Sequence, residues 1–428
     1  MNIRSLNGKK ICILGYGREG QAMFAALKTF APDAHITIAD RNKTIPPVKG
    51  AQMLLGEHHQ DSLQEFDIII RSSGIKDSPK LKDAAAKTTD MTRIFFDTIK
   101  DSGVQTIGIT GSKGKSTTTS LIYEAIKAHT PNVRLMGNIG IPMINYIADA
   151  KPGMIFVIEL SSYMLEHLRV SPNIAVVTSF FPEHLDRHGS LIAYWEAKKH
   201  IAKHQTKDDC VFYNAAFPEC ALIAKESPGT KIPFTAHDLP IEISQTKFTG
   251  EHNRSNLAAA LKVAEFVGVP HKTAMAALTN AEPLPHRLQN LGKHRGVVWV
   301  NDSFSTAPEA TIAGLQALGN NVDTLLIGGF DRGVDFTGIA KFLAESTVRN
   351  IVVFPDTGLK IRDLMAAHPH NKTFYETTNM DDAVAWAAAN TAPGKTVLLS
   401  SASPSFNLFK DFVARGEAFA GAIKKIDS

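Results

Sequence analysis

Short apolar runs that end in glycine or polar clusters alternate with longer amphipathic stretches along the whole chain. Lys10 to Leu14 reads as a buried strand; Gly15, Gly17 and Gly20 follow, then a helix from about Gln21 to Phe30. His35 to Ala39 predicts a second strand ending at Asp40-Arg41, and Asp67 to Ile70 a third ending in Arg71-Ser72-Ser73-Gly74. The pattern restarts at Thr106 to Ile109, which runs through a glycine turn into a helix carrying Leu121, Ile122, Ala125 and Ile126. Strands are then expected at Met154 to Val157, Ile174 to Thr178 and Cys210 to Tyr213, with an apolar helix over Leu257 to Val267. The rhythm breaks at Glu282-Pro283-Leu284-Pro285. Beyond it, strands at Val297 to Asn301, Thr324 to Ile327, Ile351 to Phe354 and Thr396 to Leu399 precede a last helix from about Phe409 to Ile423.

Strand–helix alternation of this kind builds doubly wound α/β sheets. We expect three such domains: Rossmann-like over 1–95, a central phosphate-loop domain over 96–283 and a second Rossmann-like domain over 284–428. A chain of 428 residues exceeds one core. Apolar residues at 44% and charged residues at 21% are ordinary for a globular chain. The net charge of +4 suits anionic small molecules and is too diffuse to argue for nucleic acid. Cys12, Cys210 and Cys220 form no CxxC pair, so neither a disulfide framework nor a zinc site is expected, and a reducing cytoplasm is. Met1 to Lys10 lacks an apolar signal segment and no run approaches spanning length; neither secretion nor a membrane anchor is expected.

The most informative stretch is Gly108-Ile-Thr-Gly-Ser-Lys-Gly-Lys-Ser-Thr117. Strand, glycine loop, Lys-Ser and helix form a phosphate cradle, in which backbone N–H groups and a helix N-terminus face the oxygens. Gly111, Ser112, Lys113, Gly114 and Thr117 would line it, Lys115 would neutralise phosphate charge, and the Ser116 hydroxyl would ligate Mg²⁺. The spacing departs from the strict form because Ile109 stands where the first glycine belongs.

Other clusters carry chemistry at strand ends. Gly15-Tyr16-Gly17-Arg18-Glu19-Gly20 with Asp40 has the form of a dinucleotide fingerprint, which also fits another nucleotide diphosphate or a tight turn. Glu159, ending the strand after the cradle, can reach a phosphate-bound metal. His184 lies among Glu183, Asp186 and His188 and could be a metal ligand or a structural histidine. Lys198 and Lys199 share an amphipathic helix, and spacing promotes neither above a solvated face. Arg287 at the proline joint could clamp a nucleotide or be a surface arginine. Asp302-Ser303-Phe304-Ser305-Thr306, Gly328-Gly-Phe-Asp-Arg-Gly333 and Ser403-Pro-Ser405 could bind a small carboxylate or serve as turns.

These landmarks occur in the order of the Mur ligase family, and the chain resembles its glutamate-adding branch over almost its full length. Matching blocks are 108–117, Met136 to Gly140, Glu159 to Glu166, Glu183 to Arg187, Gly250 to Asn256, Leu284 to Arg287, Asn301 to Ser303 and Phe409 to Gly416. The resemblance implies ATP and Mg²⁺, two ions in all, held by Lys115, Ser116 and Glu159. It implies contacts of Asn138 and His184 with the acyl substrate and second metal, and a carbamylated Lys198 as a further ligand. Asn253 and Asn256 would frame the adenine, with Arg287 and Asp302 completing the nucleotide site. Gly15, Tyr16, Asp40, Arg41, Ser73 and Gly74 would bind UDP, which displaces the NAD reading.

Thr306, Arg332, Ser405 and Phe412 would hold the incoming amino acid. The implied reaction is ATP-driven amide formation between UDP-N-acetylmuramoyl-L-alanine and D-glutamate through an acyl phosphate, in cytoplasmic peptidoglycan precursor synthesis. A monomer acting on small molecules is expected. Two departures concern the glutamate pocket: Phe304 and Arg332 stand where lysines are common. L-glutamate is therefore the alternative acceptor. An NAD-dependent oxidoreductase would leave Lys115 unused, a folate polyglutamate synthase relative would leave the first domain unused, and a non-catalytic module would consume no ATP.

Overall fold

The computed structural model describes residues 1–183, 188–248, 250–331 and 333–427. It divides into two compact units, Met1–Glu282 and Pro283–Ser428. Among the described residues the first unit contains two parallel sheets and the second one mixed sheet.

The first sheet comprises β1 (Lys10–Leu14), β2 (His35–Asp40), β3 (Gln52–Leu55), β4 (Ile68–Arg71) and β5 (Thr88–Asp90), in the order β3-β2-β1-β4-β5. The strand order reverses at β1, between β2 and β4, which opens a crevice at the carboxyl ends of the central strands. The helix Arg18–Phe30 starts there. Gly20 permits its close approach: a Cβ on it would stand 2.1 Å from the Gly15 carbonyl oxygen.

The second sheet comprises β6 (Gln105–Thr110), β7 (Val133–Gly137), β8 (Ile155–Glu159), β9 (Ile174–Val177), β10 (Cys210–Asn214) and β11 (Thr230–Phe234), ordered β11-β10-β9-β6-β8-β7. Here the switch falls at β6, flanked by β9 and β8. The helices Lys115–Lys127 and Glu251–Phe266 cover one face over Ile107, Ile109, Val157 and Val176. The helix Met91–Ile99, into which the boundary expected near residue 95 falls, is buried on most sides. Phe95 on it stacks on Phe156 of β8 with centroids 6.1 Å apart, so one apolar cluster spans both sheets of this unit.

The second unit is built on β12 (Gln289–His294), β13 (Val297–Asn301), β14 (Val322–Ile327), β15 (Asn350–Val353), β16 (Thr373–Glu376) and β17 (Thr396–Leu399), ordered β12-β13-β17-β14-β15-β16. All neighbours are parallel except β12, which returns antiparallel to β13. Trp299 is fully buried against Phe419 of the last helix, Phe412–Asp427, with its indole N–H donated to the His294 carbonyl. No helix among the described residues is long and apolar enough to cross a membrane. All three cysteines are buried and free.

The periodicity predicts the central strands, and the structure adds β3, β5, β7, β11, β12 and β16. These are short or lie at sheet edges, and β3, β12 and β16 bury no residue fully. Without one wet and one dry face they carry no alternation to read.

Candidate active site

The cradle forms as strand, loop and helix. β6 ends at Thr110, and Gly114 caps the helix Lys115–Lys127 with φ 83°. A Cβ at Gly111 would stand 2.0 Å from Thr178 Oγ1, and one at Gly114 2.5 Å from Asn256 Oδ1, so both glycines are needed for the loop to close. Thr178 Oγ1 and Ser179 Oγ donate to the Lys113 carbonyl, and the Lys113 N–H is donated to Ser179 Oγ. Ser112 Oγ takes the Phe181 N–H and meets the Tyr194 hydroxyl at 2.8 Å. Lys115 Nζ curls over the loop, donating to the carbonyls of Gly111 and Ser112 at 2.8 Å each. Ser116 is buried, Thr117 half-buried, and the Lys113 ammonium pairs with Glu183 at 2.5 Å. Asn256 accepts from Thr118 Oγ1 and donates to Asn253 Oδ1, which joins the two asparagines to the cradle's helix.

Register places Glu159 opposite Ile109 on one side and Gly137 on the other, at the strand edge where the loop begins. Its carboxylate is fully buried. Oε1 accepts from Asn138 Nδ2 at 2.7 Å, whereas Oε2 has no hydrogen-bond partner among the described residues. Such an orphaned oxygen is costly unless something occupies it. A hard cation is the fitting occupant, because the Glu159 oxygen and the Ser116 hydroxyl are both oxygen donors. Among the described residues no three acidic, histidine or cysteine side chains cluster.

Lys198 and Lys199 have opposite environments on the helix Leu191–Lys203. Lys199 is held by Glu196 at 2.9 Å and Glu226 at 3.1 Å, over the Trp195 ring. Lys198 is buried at 1% exposure. Its Nζ donates to the Gly111 carbonyl at 2.8 Å and lies 4.8 Å from the Tyr194 ring centroid. Burial, reinforced by the nearby Lys115 charge and opposed by Glu183, holds its amine well below the ordinary lysine range. His184 lies outside the described residues.

In the first sheet, Asp40 Oδ2 accepts the Tyr16 N–H at 2.7 Å and Oδ1 the Asn42 N–H at 2.8 Å, so this carboxylate braces the glycine turn. Ser73 donates its N–H and hydroxyl to Glu19 Oε2, and Ser72 Oγ donates to the Gly15 carbonyl. Gly15 is thereby buried, while Arg41 and Gly74 are exposed at the same crevice. Glu19 was not singled out from sequence; its position inside the glycine fingerprint was the available signal.

The second unit collects its candidates after β13 and β17. Asp302 is 5% exposed; Oδ1 accepts the Leu288 N–H and Oδ2 the Ser400 hydroxyl, and burial pushes its pKa up to about 6 despite those bonds and the Arg287 charge. Arg287 sits between two non-glycine residues with left-handed backbones, His286 at φ 63° and Leu288 at φ 44°. Such conformations cost about 1–3 kcal/mol each and persist where the surroundings over-determine them. Ser405 is buried; Phe412 and Thr306 are half-buried. Arg332 lies outside the described residues. Sequence reasoning missed Arg415, a 2%-exposed guanidinium that donates to Ser303 Oγ, the Ser303 carbonyl and the Ser403 carbonyl. Burial lowers its pKa to about 10.

Comparison with known proteins bears on the chain's family. Residues 109–238 match the Mur ligase middle domain, and residues 286–403 match the Mur ligase glutamate ligase domain. The UDP-N-acetylmuramoyl-L-alanine–L-glutamate ligase of Salinispora tropica is 32% identical, covering 99% of each chain. The protein of that name from Xanthomonas campestris pv. campestris is also 32% identical, covering 98% of this chain and 96% of its own. Among solved structures, the MurF ligase of Thermotoga maritima in complex with ADP superposes with a TM-score of 0.60 at 17% identity, covering 99% of this chain and 97% of its own. UDP-N-acetylmuramate-alanine ligase of the same organism gives 0.59 at 17% identity, covering 97% and 99%. At that identity the superpositions speak for the fold, whereas the full-length relatives and the two domain matches speak for kinship: the chain belongs to the Mur ligase family of ATP-dependent ligases.

Proposed function

We propose that this ligase joins L-glutamate to UDP-N-acetylmuramoyl-L-alanine at the expense of ATP. The ligase chemistry rests on one juxtaposition: a phosphate loop closed over Lys115, with a buried lysine and a buried half-paired carboxylate at the same strand edge. The choice of L-glutamate draws on the names of the full-length relatives and on the altered pocket, where Phe304 replaces a common lysine. D-glutamate is the second reading, favoured by Thr306, Ser405 and Phe412 occupying the family's pocket positions.

In this reading the substrate carboxylate attacks the γ-phosphorus of ATP and ADP departs, leaving an acyl phosphate. The glutamate amine then attacks the acyl carbon, inorganic phosphate leaves, and the amine gives up a proton. The loop N–H groups and Lys115 Nζ bind and orient the phosphates; Lys115 exchanges its two loop carbonyls for phosphate oxygens. Ser116 and Glu159 would hold Mg²⁺, which supplies charge neutralisation on the phosphoryl oxygens. Asn138 keeps the Glu159 carboxylate oriented through its 2.7 Å bond. Burial favours the neutral form of the Lys198 amine, and addition of that form to CO₂ would give a carbamate and a proton. Lys198 modified in this way would offer a carboxylate-like ligand to the second ion. Asn253 and Asn256 serve the adenine, Arg287 and Asp302 other parts of the nucleotide, and Gly15, Tyr16, Asp40, Arg41, Ser73 and Gly74 the UDP moiety.

The test is phosphate release with ATP, Mg²⁺ and UDP-N-acetylmuramoyl-L-alanine, adding L- or D-glutamate in parallel. Release dependent on L-glutamate is expected. Release with D-glutamate alone selects the second reading, and none with either overturns both.

A further inference from the structure

We propose that Phe304 is a positioning residue: its ring orients Arg287 and links it to the amino-acid pocket through Phe412. The Arg287 guanidinium carbon lies 3.4 Å from the Phe304 ring centroid, a stacked cation–π contact. The same ring makes an edge-to-face pair with Phe412, the centroids 5.0 Å apart and the planes at 83°. The backbone holds the stack from both sides. The Phe304 N–H is donated to the His286 carbonyl, and the Leu288 N–H to Asp302, so the residues flanking Arg287 are tied to the segment carrying Phe304. The left-handed conformations of His286 and Leu288 aim the arginine at that ring. A lysine at 304 would set an ammonium against a guanidinium; an aromatic face attracts it instead. The ring is 37% exposed, so its replacement removes the stack without opening a core cavity.

This inference rests on the nucleotide role proposed for Arg287 and the pocket role proposed for Phe412. Phe304→Leu should raise KM for ATP and for glutamate about threefold to tenfold. KM for the UDP substrate should be unchanged, since its proposed contacts lie elsewhere. Phe304→Tyr and Phe304→Trp should restore both values, and Phe304→Lys should be worse than Phe304→Leu. Fluorescent-ATP titration of wild type and Phe304→Leu reads the same effect without turnover. A weaker nucleotide affinity in the variant therefore supports the stack even if neither glutamate enantiomer is used. Unchanged KM values in Phe304→Leu, a parallel rise for all three substrates, or a Phe304→Lys variant as active as wild type would overturn the proposal.

Discussion

Asp302→Asn isolates the cost of one buried charge. Asp302 is enclosed at the end of β13, with the Ser305 side chain, the Ser400 hydroxyl and the Leu288 N–H bonded to its carboxylate, and its pKa is raised from 3.8 to about 6. That rise corresponds to about 3 kcal/mol favouring the protonated carboxyl in the folded state. The sign follows from proton counting. Between the unfolded and folded values the native state holds the extra proton, so stability is fully present below 3.8 and is lost as pH rises through about 6. Linkage over that interval gives a loss of about 2 kcal/mol between about pH 4.5 and about pH 7.5. For a unit of ~150 residues this lowers Tm by about 4–8 °C. Asparagine keeps the shape and an acceptor for the Leu288 N–H but does not titrate. Trp299 and Trp386 lie in this unit, and thermal melts followed by their fluorescence give Tm at each pH. The difference in Tm between Asp302→Asn and wild type should widen in favour of the variant as pH rises. Parallel Tm–pH curves for the two proteins would refute the reasoning, because other titrating groups are common to both.

Further substitutions separate the roles of buried groups. Lys198→Met should cut ligase turnover about 10²-fold or more while leaving the chain folded. Because the native amine is depressed, wild-type stability relative to this variant should rise with pH toward the ordinary lysine value of 10.5, read as Tm against pH. Glu159→Gln retains the bond from Asn138 but removes the charge, and should weaken the apparent Mg²⁺ affinity in phosphate-release assays about 10–100-fold. Gly20→Ala forces a Cβ to 2.1 Å from the Gly15 carbonyl; it should cost about 1–3 kcal/mol and raise KM for the UDP substrate with ATP binding intact, measured by melts and initial rates.

The parts of the fold legible in the sequence were those whose burial is repetitive. β1, β6, β13 and β17 are apolar runs with a turn signal at the carboxyl end, and the clusters at Gly15, Gly111, Asp302 and Ser403 follow such runs, whereas Lys198, Asn253, Asn256 and Arg287 do not. Doubly wound sheets concentrate ligands there, so locating strand ends also located those clusters. The added edge strands were illegible for the opposite reason: Gln289–His294 is mostly polar and, apart from Leu291, which packs on the Trp299 cluster, offers little apolar surface to read. Arg415 lies in the matching block Phe409 to Gly416 yet received no role, because an arginine on an amphipathic helix reads as solvated until its fold surrounds it with the Ser303 and Ser403 carbonyls.

Lys198 and Lys199 show where sequence reasoning stops. Adjacent residues on a helix point about 100° apart, so pattern alone requires that one lysine be drier than the other without saying which is chemically distinct. The distinction comes from what lies opposite. Lys199 faces two carboxylates, which raise its pKa, and remains an ordinary ammonium. Lys198 faces the Gly111 carbonyl, an aromatic ring and the charge of Lys115, with no carboxylate in hydrogen-bond contact among the described residues. A cation is retained there only at a desolvation cost that outweighs the Gly111 carbonyl bond, the Tyr194 ring and the Glu183 charge, since the amine is held well below its ordinary range. Its presence is therefore better explained by chemistry than by stability. The same reasoning applies to the Glu159 oxygen at that strand edge, which is buried without a hydrogen-bond partner among the described residues; in the proposed reaction both groups would be offset by bound phosphate and a divalent cation.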